Sequence, residues 1–561
     1  MSIGVRNVCV LGAGTMGCGI AAHLANLGFS VTILDISDDA VHAGFDKAKT
    51  ARPPHFYQPG RAAEVRLGST MRHAAWLQEA DWVCEAVAER LDVKQALYTQ
   101  IAPHLRPDAL LTTNTSGLPI GELALAVPHP WRSGFCGTHF FNPPRHLKLV
   151  ELIPGPETDP ARLADVRHFL EADVARRVVP AKDTPGFIAN RYGMWCMYLA
   201  IHVAQRLQLS VEQTDLITGP FLGRPKSGSF RLSDLVGLDV MNDIAQGLRQ
   251  RLPDDPARAN LETPSSMADL LAKGWIGEKA GQGYFRREGK ELLAFDLRTH
   301  AYRQRVEARY PSIDRIAEKP LPERLTAALT LGDEVGEFAR AFLVPALQYA
   351  HRIAPEIAFS YEDFDRVMRW GFGWELGPFE MIDAIGADRL AISASKFYEN
   401  AGRRTFEGGL VLPPAEPEYR TLNEFATVDT DGEWRRIDLG DDLSALVSES
   451  PQGVVSPAAV EALISRLEGG LDRFILWGGD KNFSVGFDLR YLLDRIQAED
   501  LDAVEQSLFR LQYAGELLES RRCVAALHGY SYGGGFELAL GCPVAVAHPE
   551  AQIGFPEARV G

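Results

Sequence analysis

At 561 residues the chain is too long for one hydrophobic core and is expected to divide into three or four domains. Its apolar share of 46% and charged share of 24% are those of an ordinary soluble globular protein, and no apolar run approaches the length of a membrane span. A net charge of −16 excludes a nucleic-acid binder and a basic membrane-surface protein, so an anionic substrate has to find a local basic patch. Seven cysteines (Cys9, Cys18, Cys84, Cys136, Cys196, Cys523 and Cys542) are scattered, with no CxxC pair, and several lie in strand-like runs. Buried reduced thiols, a cytoplasmic location and no bound metal are the expectation.

The first apolar run, Val5 to Leu11, flows into Gly12-Ala-Gly14-Thr-Met-Gly17, then into a helical pattern ending at Gly28 and a second strand closed by Asp35. This is a dinucleotide fingerprint in its full strand–turn–helix–strand context. Gly12 allows the tight turn, Gly14 lets backbone approach a pyrophosphate, and Gly17 lets helix and strand pack closely. The helix N-terminus offers unpaired N–H groups and a positive dipole end to the phosphates. Asp35, eighteen residues past Gly17, is placed to accept the adenosine ribose hydroxyls. Ile36 and Ser37 follow it, with no arginine to receive a 2′-phosphate, which favours NAD over NADP.

Runs at 82–87, 110–113 and 134–140 read as later strands of the same parallel sheet. Their C-terminal ends carry Glu89, the turn Asn114-Thr-Ser116, and His139, where ligands bind in an open α/β sheet. A histidine has an ordinary pKa of about 6.5, which suits a general base at neutral pH. Such a base needs an orienting partner. Glu151, in the strand-like run 147–153, can aim a carboxylate back at His139.

Taken together, the glycine turn, Asn114-Thr-Ser116, His139-Phe-Phe-Asn142-Pro, Glu151 and Lys182-Asp-Thr-Pro-Gly-Phe-Ile-Ala-Asn190-Arg resemble the L-3-hydroxyacyl-CoA dehydrogenase family over residues 1 to about 400. The resemblance implies NAD-dependent oxidation of an L-3-hydroxyacyl-CoA to its 3-ketoacyl-CoA. It makes His139 the acid/base at the 3-hydroxyl and Glu151 its partner. Ser116 and Asn190 hold the substrate oxygen, Asn142 lies beside them, and Glu89, Lys94 and Asn114 belong to the cofactor side. Arg145, His146 and Lys148 are candidate CoA-binding cations, equally well explained as solvated surface charges.

After Pro185-Gly186 a long helical pattern, 187–207, begins, and helical periodicity dominates to about residue 400. Gly228-Ser-Phe-Arg-Leu-Ser-Asp234-Leu-Val-Gly237-Leu-Asp239 matches Gly377-Pro-Phe-Glu-Met-Ile-Asp383-Ala-Ile-Gly386-Ala-Asp388 at an offset of 149 residues. Two copies argue for a duplicated helical unit. By the resemblance, the second copy stands in for the partner chain that a single-copy dehydrogenase needs, with homo-oligomerisation left open.

Residues 401–431 have linker composition, and a new pattern follows. Strand-like runs at 474–477 and 524–529, Gly486-Phe487, the glycine turn Gly533-Gly534-Gly535 before Glu537, and Ala551-Gln-Ile-Gly-Phe-Pro-Glu557 resemble the crotonase superfamily. The resemblance makes the N–H groups of Phe487 and Gly534 an oxyanion pair for a thioester enolate, with Glu537 and Glu557 the carboxylates of a hydratase. The chain stops at Gly561, where that family continues with further helices, so the half is expected to be incomplete or the chain a fragment.

The expected architecture is multidomain α/β: a Rossmann-type parallel sheet (1–185), two all-α dehydrogenase copies (186–300 and 301–400), a linker (401–431), and the N-terminal part of a crotonase-like domain (432–561). Its expected work is a fatty-acid β-oxidation step on acyl-CoA thioesters, without nucleic acid or membrane insertion. The rivals are a monofunctional 3-hydroxyacyl-CoA dehydrogenase with an inert appendage and a catalytically silent NAD- or acyl-CoA-binding scaffold.

Overall fold

The computed structural model describes residues 4–412, 422, 425–479 and 481–559, with the side chains of Glu557 and Arg559 outside that description. The chain forms two compact units, Met1–Pro414 and Ala415–Gly561. Within the linker expected at 401–431, residues 413–421, 423 and 424 lie outside the described residues, while Gly402–Arg404, Leu410–Val411 and Thr427–Thr430 are strands.

The first unit is built on a sheet of eight strands among the described residues: β1 (Asn7–Leu11), β2 (Ser30–Asp35), β3 (Arg66–Ser69), β4 (Trp82–Glu85), β5 (Leu110–Thr113), β6 (Cys136–Phe140), β7 (Leu149–Pro154) and β8 (Arg177–Pro180). Their order is β3-β2-β1-β4-β5-β6-β7-β8. β1, β2, β4, β5 and β6 are parallel, as expected, and β3, not anticipated from the sequence, joins them in parallel beside β2. β7 instead runs antiparallel to β6, because only a short loop joins them and no crossover helix intervenes. β4, β5 and β6 are buried along their whole length, which is why they read as continuous apolar runs.

The helices α1 (Thr15–Asn26) and α2 (Asp38–Lys49) cover one face, through Ile20, Leu24, Val41 and Phe45. The other face shares its core with the helical region that follows: Leu11, Leu111, Tyr198, Phe342 and Phe364 belong to one buried cluster. Trp195 stacks on Tyr349 at 4.3 Å, so the helices Trp195–Leu207 and Glu334–Ile357, one from each copy, pack directly.

The internal repeat is one of backbone and of hydrogen bonding. The helices Phe230–Val236 and Pro378–Ile385 end on Gly237 (φ 97°, ψ 125°) and Gly386 (φ 99°, ψ 123°), a left-handed region that a side chain disfavours. Asp215 accepts the N–H groups of Ser229, Phe230 and Arg231 at the first helix, and Asp365 those of Phe379 and Glu380 at the second. Asp234 then accepts from Tyr284 and Phe285, and Asp383 from Phe397 and Tyr398. Each copy also closes with a three-stranded antiparallel sheet, so neither is all-α as expected from its helical periodicity. These strands are two to five residues long, too short to show a period of two.

The second unit has a six-stranded sheet among its described residues, in the order Thr427–Thr430, Trp434–Gly440, Leu443–Ser448, Arg473–Trp477, Arg522–Leu527 and Val544–Ala547. Its last four strands are parallel. The helices Pro457–Glu468 and Leu501–Glu519 pack on it through Leu463, Leu467, Leu511 and Leu518. All seven cysteines are buried free thiols, four of them (Cys9, Cys84, Cys136 and Cys523) in strands, as expected of several.

His23 on α1 carries a pH signature. Its Nε2–H donates to the Val174 carbonyl at 2.9 Å, and Nδ1 is buried without a partner. Burial, reinforced by the nearby Arg176 charge, pushes its pKa down to about 4. The unfolded chain binds a proton near pH 6.5 that the folded chain refuses, so stability is intact above that pH and falls as pH drops toward 4. The loss reaches roughly 3 kcal/mol for a shift of this size. In thermal melts between pH 7 and 4, His23→Gln is expected to remove that part of the acid-induced fall in Tm; a profile parallel to wild type would contradict it.

Candidate active site

Gly12 N–H bonds to the Leu34 carbonyl at 2.7 Å, tying the start of the turn between β1 and α1 to β2. A Cβ on Gly12 would lie 2.6 Å from the Ala86 carbonyl oxygen, and one on Gly17 would lie 1.9 Å from that of Gly12. A Cβ on Gly14 would meet nothing within 4 Å. The first and third glycines therefore serve the protein's own packing, while Gly14 opens onto free space at the N-terminus of α1. That cradle fits a dinucleotide pyrophosphate. Asp35, ending β2, accepts the N–H groups of Ala13 and Ile36, both at 2.6 Å, which ties the acidic residue to the glycine turn.

Across the sheet, β6 and β7 pair so that His139 and Glu151 are direct cross-strand partners. Adjacent strands therefore deliver the pair to each other, and His139 Nδ1 lies 2.7 Å from Glu151 Oε2. Glu151 is wholly buried, and its other oxygen accepts the N–H groups of Ile188 and Ala189 at 3.0 Å each. Gly186 and Phe187 both adopt the left-handed conformation ahead of those donors, at φ 76° and 49°. Such strain in a bulky residue persists only where the surroundings impose it. A carboxylate only accepts, so Nδ1 carries the hydrogen and Nε2 keeps the lone pair. Phe141 and Phe187, at ring separations of 4.7 and 5.9 Å, flank the imidazole, which is 7% exposed.

The helical segment expected from Phe187 begins with a π-helical stretch, Ala189–Met194, before the α-helix Trp195–Leu207. Asn190 sits in that stretch and donates from Nδ2 to the Ser116 carbonyl at 2.9 Å. Ser116 in turn gives its N–H and its hydroxyl to Glu89 Oε1, at 2.7 and 3.1 Å, and the Thr115 hydroxyl reaches the same oxygen at 2.7 Å. Burial raises the Glu89 pKa, but Lys94 and these donors outweigh it and hold the carboxyl below its usual range.

Three other candidate residues make contacts within the protein. Lys94 does not line an open cofactor surface: it is 1% exposed, with its ammonium 2.6 Å from Glu85, 3.3 Å from the Val87 carbonyl and 3.4 Å from Glu89. Asn114 accepts the Phe140 N–H at 2.9 Å and so braces β6 from within. Arg145 is tied to the 54–56 loop, donating to the Pro54 carbonyl at 2.6 Å and stacking on Tyr57. His146, Lys148 and Asn142 are exposed. Glu85 was missed altogether. A charged residue closing the apolar run Trp82-Val-Cys is the signal that marks it.

In the second unit, Gly534 lies in the first turn of the helix Gly533–Gly541, where N–H groups lack intrahelical partners. A Cβ there would come 3.2 Å from Phe487 Cβ, so the two expected oxyanion donors stand on adjoining backbone. Glu537 is exposed on the same helix, and the side chain of Glu557 lies outside the described residues.

A glycine cradle at the head of α1 and a buried His–Glu pair on the same sheet define a nicotinamide-dinucleotide-dependent dehydrogenase. Residues 7–184 match the 3-hydroxyacyl-CoA dehydrogenase NAD binding domain, residues 186–287 and 336–413 the C-terminal domain of the same enzymes, and residues 465–561 enoyl-CoA hydratase/isomerase. A "Probable 3-hydroxyacyl-CoA dehydrogenase" of Bacillus subtilis is 33% identical over 99% of this chain and 77% of its own length. A Rickettsia prowazekii protein described as a fatty acid oxidation complex trifunctional enzyme is 28% identical over 99% of this chain and 79% of its own. The chain belongs to the 3-hydroxyacyl-CoA dehydrogenase family. The solved 3-hydroxybutyryl-CoA dehydrogenase of Escherichia coli K12 shares the fold, with a TM-score of 0.52 at 23% identity over 69% of this chain and 93% of that one.

The glycine geometry separates two roles. Gly14→Ala is expected to keep the wild-type Tm and weaken NADH binding by at least about tenfold, because its Cβ enters the cradle. Gly17→Ala is expected to lower Tm as well. Equal thermal loss in both variants would contradict the assignment.

Proposed function

We propose that the first unit oxidises the 3-hydroxyl of an L-3-hydroxyacyl-CoA to the ketone, with His139 as the base. The observation that carries this reading is the cross-strand His139–Glu151 contact at 2.7 Å inside an NAD-binding sheet. His139 Nε2, fixed as the lone-pair nitrogen, takes the hydroxyl proton, and the imidazolium that results is stabilised by the buried Glu151 carboxylate. NAD would lie at Gly14, in the turn that Gly12 and Gly17 shape, with Asp35 at its ribose, and would supply the hydride acceptor. Ser116 and Asn190, linked to each other and to Glu89, are the polar groups that hold the substrate oxygen, and Asn142 adjoins them. Acyl-CoA thioesters are the substrate class, and the domain limits are those read from the motifs, with the first dehydrogenase copy extended through its terminal strand to Gln304 and the second to Val411.

For the second unit we infer hydration of a 2-enoyl-CoA, supported by the adjoining Phe487 and Gly534 backbones at a helix N-terminus. Glu537 and Glu557 are the carboxylates that would activate water and return a proton. This product is the 3-hydroxyacyl-CoA that the first unit consumes, which matches the order of a β-oxidation sequence.

Spectrophotometry tests both. Wild type is expected to form NADH from L-3-hydroxyacyl-CoA, and His139→Gln to lower kcat by about 10²- to 10⁴-fold with little change in KM. NADP is expected to serve poorly, because its 2′-phosphate would face the Asp35 carboxylate. NADH formed from enoyl-CoA as well supports the second unit's activity, and its loss in Glu537→Gln assigns the carboxylate. An unchanged kcat in His139→Gln would overturn the assignment.

A further inference from the structure

We propose that Glu85 is a positioning residue for the cofactor side of the site, acting through Lys94. It rests on the NAD-dehydrogenase reading above, and it assigns a purpose to a buried charge cluster that the reaction itself does not use.

Glu85 closes β4 and is wholly buried, as are Tyr98 and Thr113. Both of its oxygens are occupied. Oε2 accepts the Tyr98 and Thr113 hydroxyls, each at 2.7 Å. Oε1 accepts the Val87 N–H at 2.8 Å and the Lys94 ammonium at 2.6 Å. The four donors come from β4's own exit loop, from the helix Leu91–Ile101 and from the end of β5, so the carboxylate ties three elements together at the sheet's ligand edge. A single buried charge of this kind is expensive unless paired, and Lys94 is the pairing cation.

Lys94 also faces Glu89, at a longer 3.4 Å. Glu89 in turn holds the Thr115 hydroxyl and both donors of Ser116, whose carbonyl receives the Asn190 amide. The connections run unbroken from a buried anchor to the polar groups of the site. The two distances give the direction of control. Lys94 is drawn chiefly to Glu85, which leaves the Glu89 carboxylate to Thr115 and Ser116. Without the Glu85 charge, the ammonium has Glu89 alone to pair with and moves toward it, and Glu89, the carboxylate expected on the cofactor side, is drawn out of its place.

Glu85→Gln isolates the charge. The glutamine oxygen can still accept from Lys94 and Val87, and its amide can donate to the Tyr98 and Thr113 hydroxyls, so shape and hydrogen bonding are kept. NADH binding, read by fluorescence titration without turnover, is expected to weaken by about tenfold, the scale of removing one partner from a buried charged contact. Because the binding readout needs no catalysis, a wild type that binds NADH without oxidising 3-hydroxyacyl-CoA overturns the functional reading and leaves this one standing. Lys94→Met strands the buried Glu85 charge and can block folding, whereas Glu85→Gln leaves Lys94 paired with Glu89 and the double variant removes both charges, so both of these are expected to fold. If Glu85 works through Lys94, the double variant's Kd matches that of whichever single variant folds to within about twofold. Tyr98→Phe, which loosens the same cluster without touching its charges, is expected to lower Tm and leave NADH affinity within about threefold. The proposal is overturned by NADH affinity within twofold of wild type in Glu85→Gln, by independent losses that multiply in the double variant, or by a loss in Tyr98→Phe as large as that in Glu85→Gln.

Discussion

The antiparallel pairing of β6 with β7 is the constraint on which the first unit's chemistry depends. A parallel continuation would have sent the chain through a crossover helix and placed the carboxylate elsewhere. The short return instead sets Glu151 opposite His139 in the ladder, so backbone hydrogen bonding brings the histidine and the carboxylate together before any side chain is placed. The remaining lone pairs of Glu151 go to the N–H groups of Ile188 and Ala189, which open the helical region. One buried carboxylate thus locks the imidazole tautomer and also anchors the second half of the unit to the sheet.

The duplicated helical region repeats an energetic solution as well as a sequence. In each copy, one buried aspartate takes up N–H groups at the head of a short helix, and a second takes up those at the start of the small terminal sheet. These donors would otherwise be orphaned at helix and strand ends, where each unmet group is costly. The copies then share one apolar core, with Trp195 of the first on Tyr349 of the second. Arg191, next to Asn190, joins them further through Asp255 at 2.8 Å and Glu356 at 2.9 Å, so the π-helical segment carrying a site residue is held from both copies.

Much of this was legible in the residues because the features are local. The glycine turn, Asp35, the His139 and Glu151 strands and the repeat at 228–239 and 377–388 each lie within one short segment whose spacing reflects its geometry. What escaped depends on distance in space. The reversal of β7 follows from loop length and pairing, which hydrophobicity does not encode, and the short terminal sheets of each copy are too brief to register a period. Lys94 read as a cofactor-facing or solvated helix charge because its partner Glu85 belongs to another element. The same holds for Asn114, whose bond to Phe140 crosses strands.

The proposed role of His139 as the base requires Glu151 to hold its Nδ1–H. The most direct measurement is the ¹⁵N spectrum of histidine-labelled protein, with the His139 signals assigned by their loss in His139→Gln. A protonated Nδ1 and a lone-pair Nε2 are expected in the neutral ring, with that tautomer preference lost in Glu151→Ala. A neutral ring protonated on Nε2, or a preference unchanged by Glu151→Ala, would contradict it.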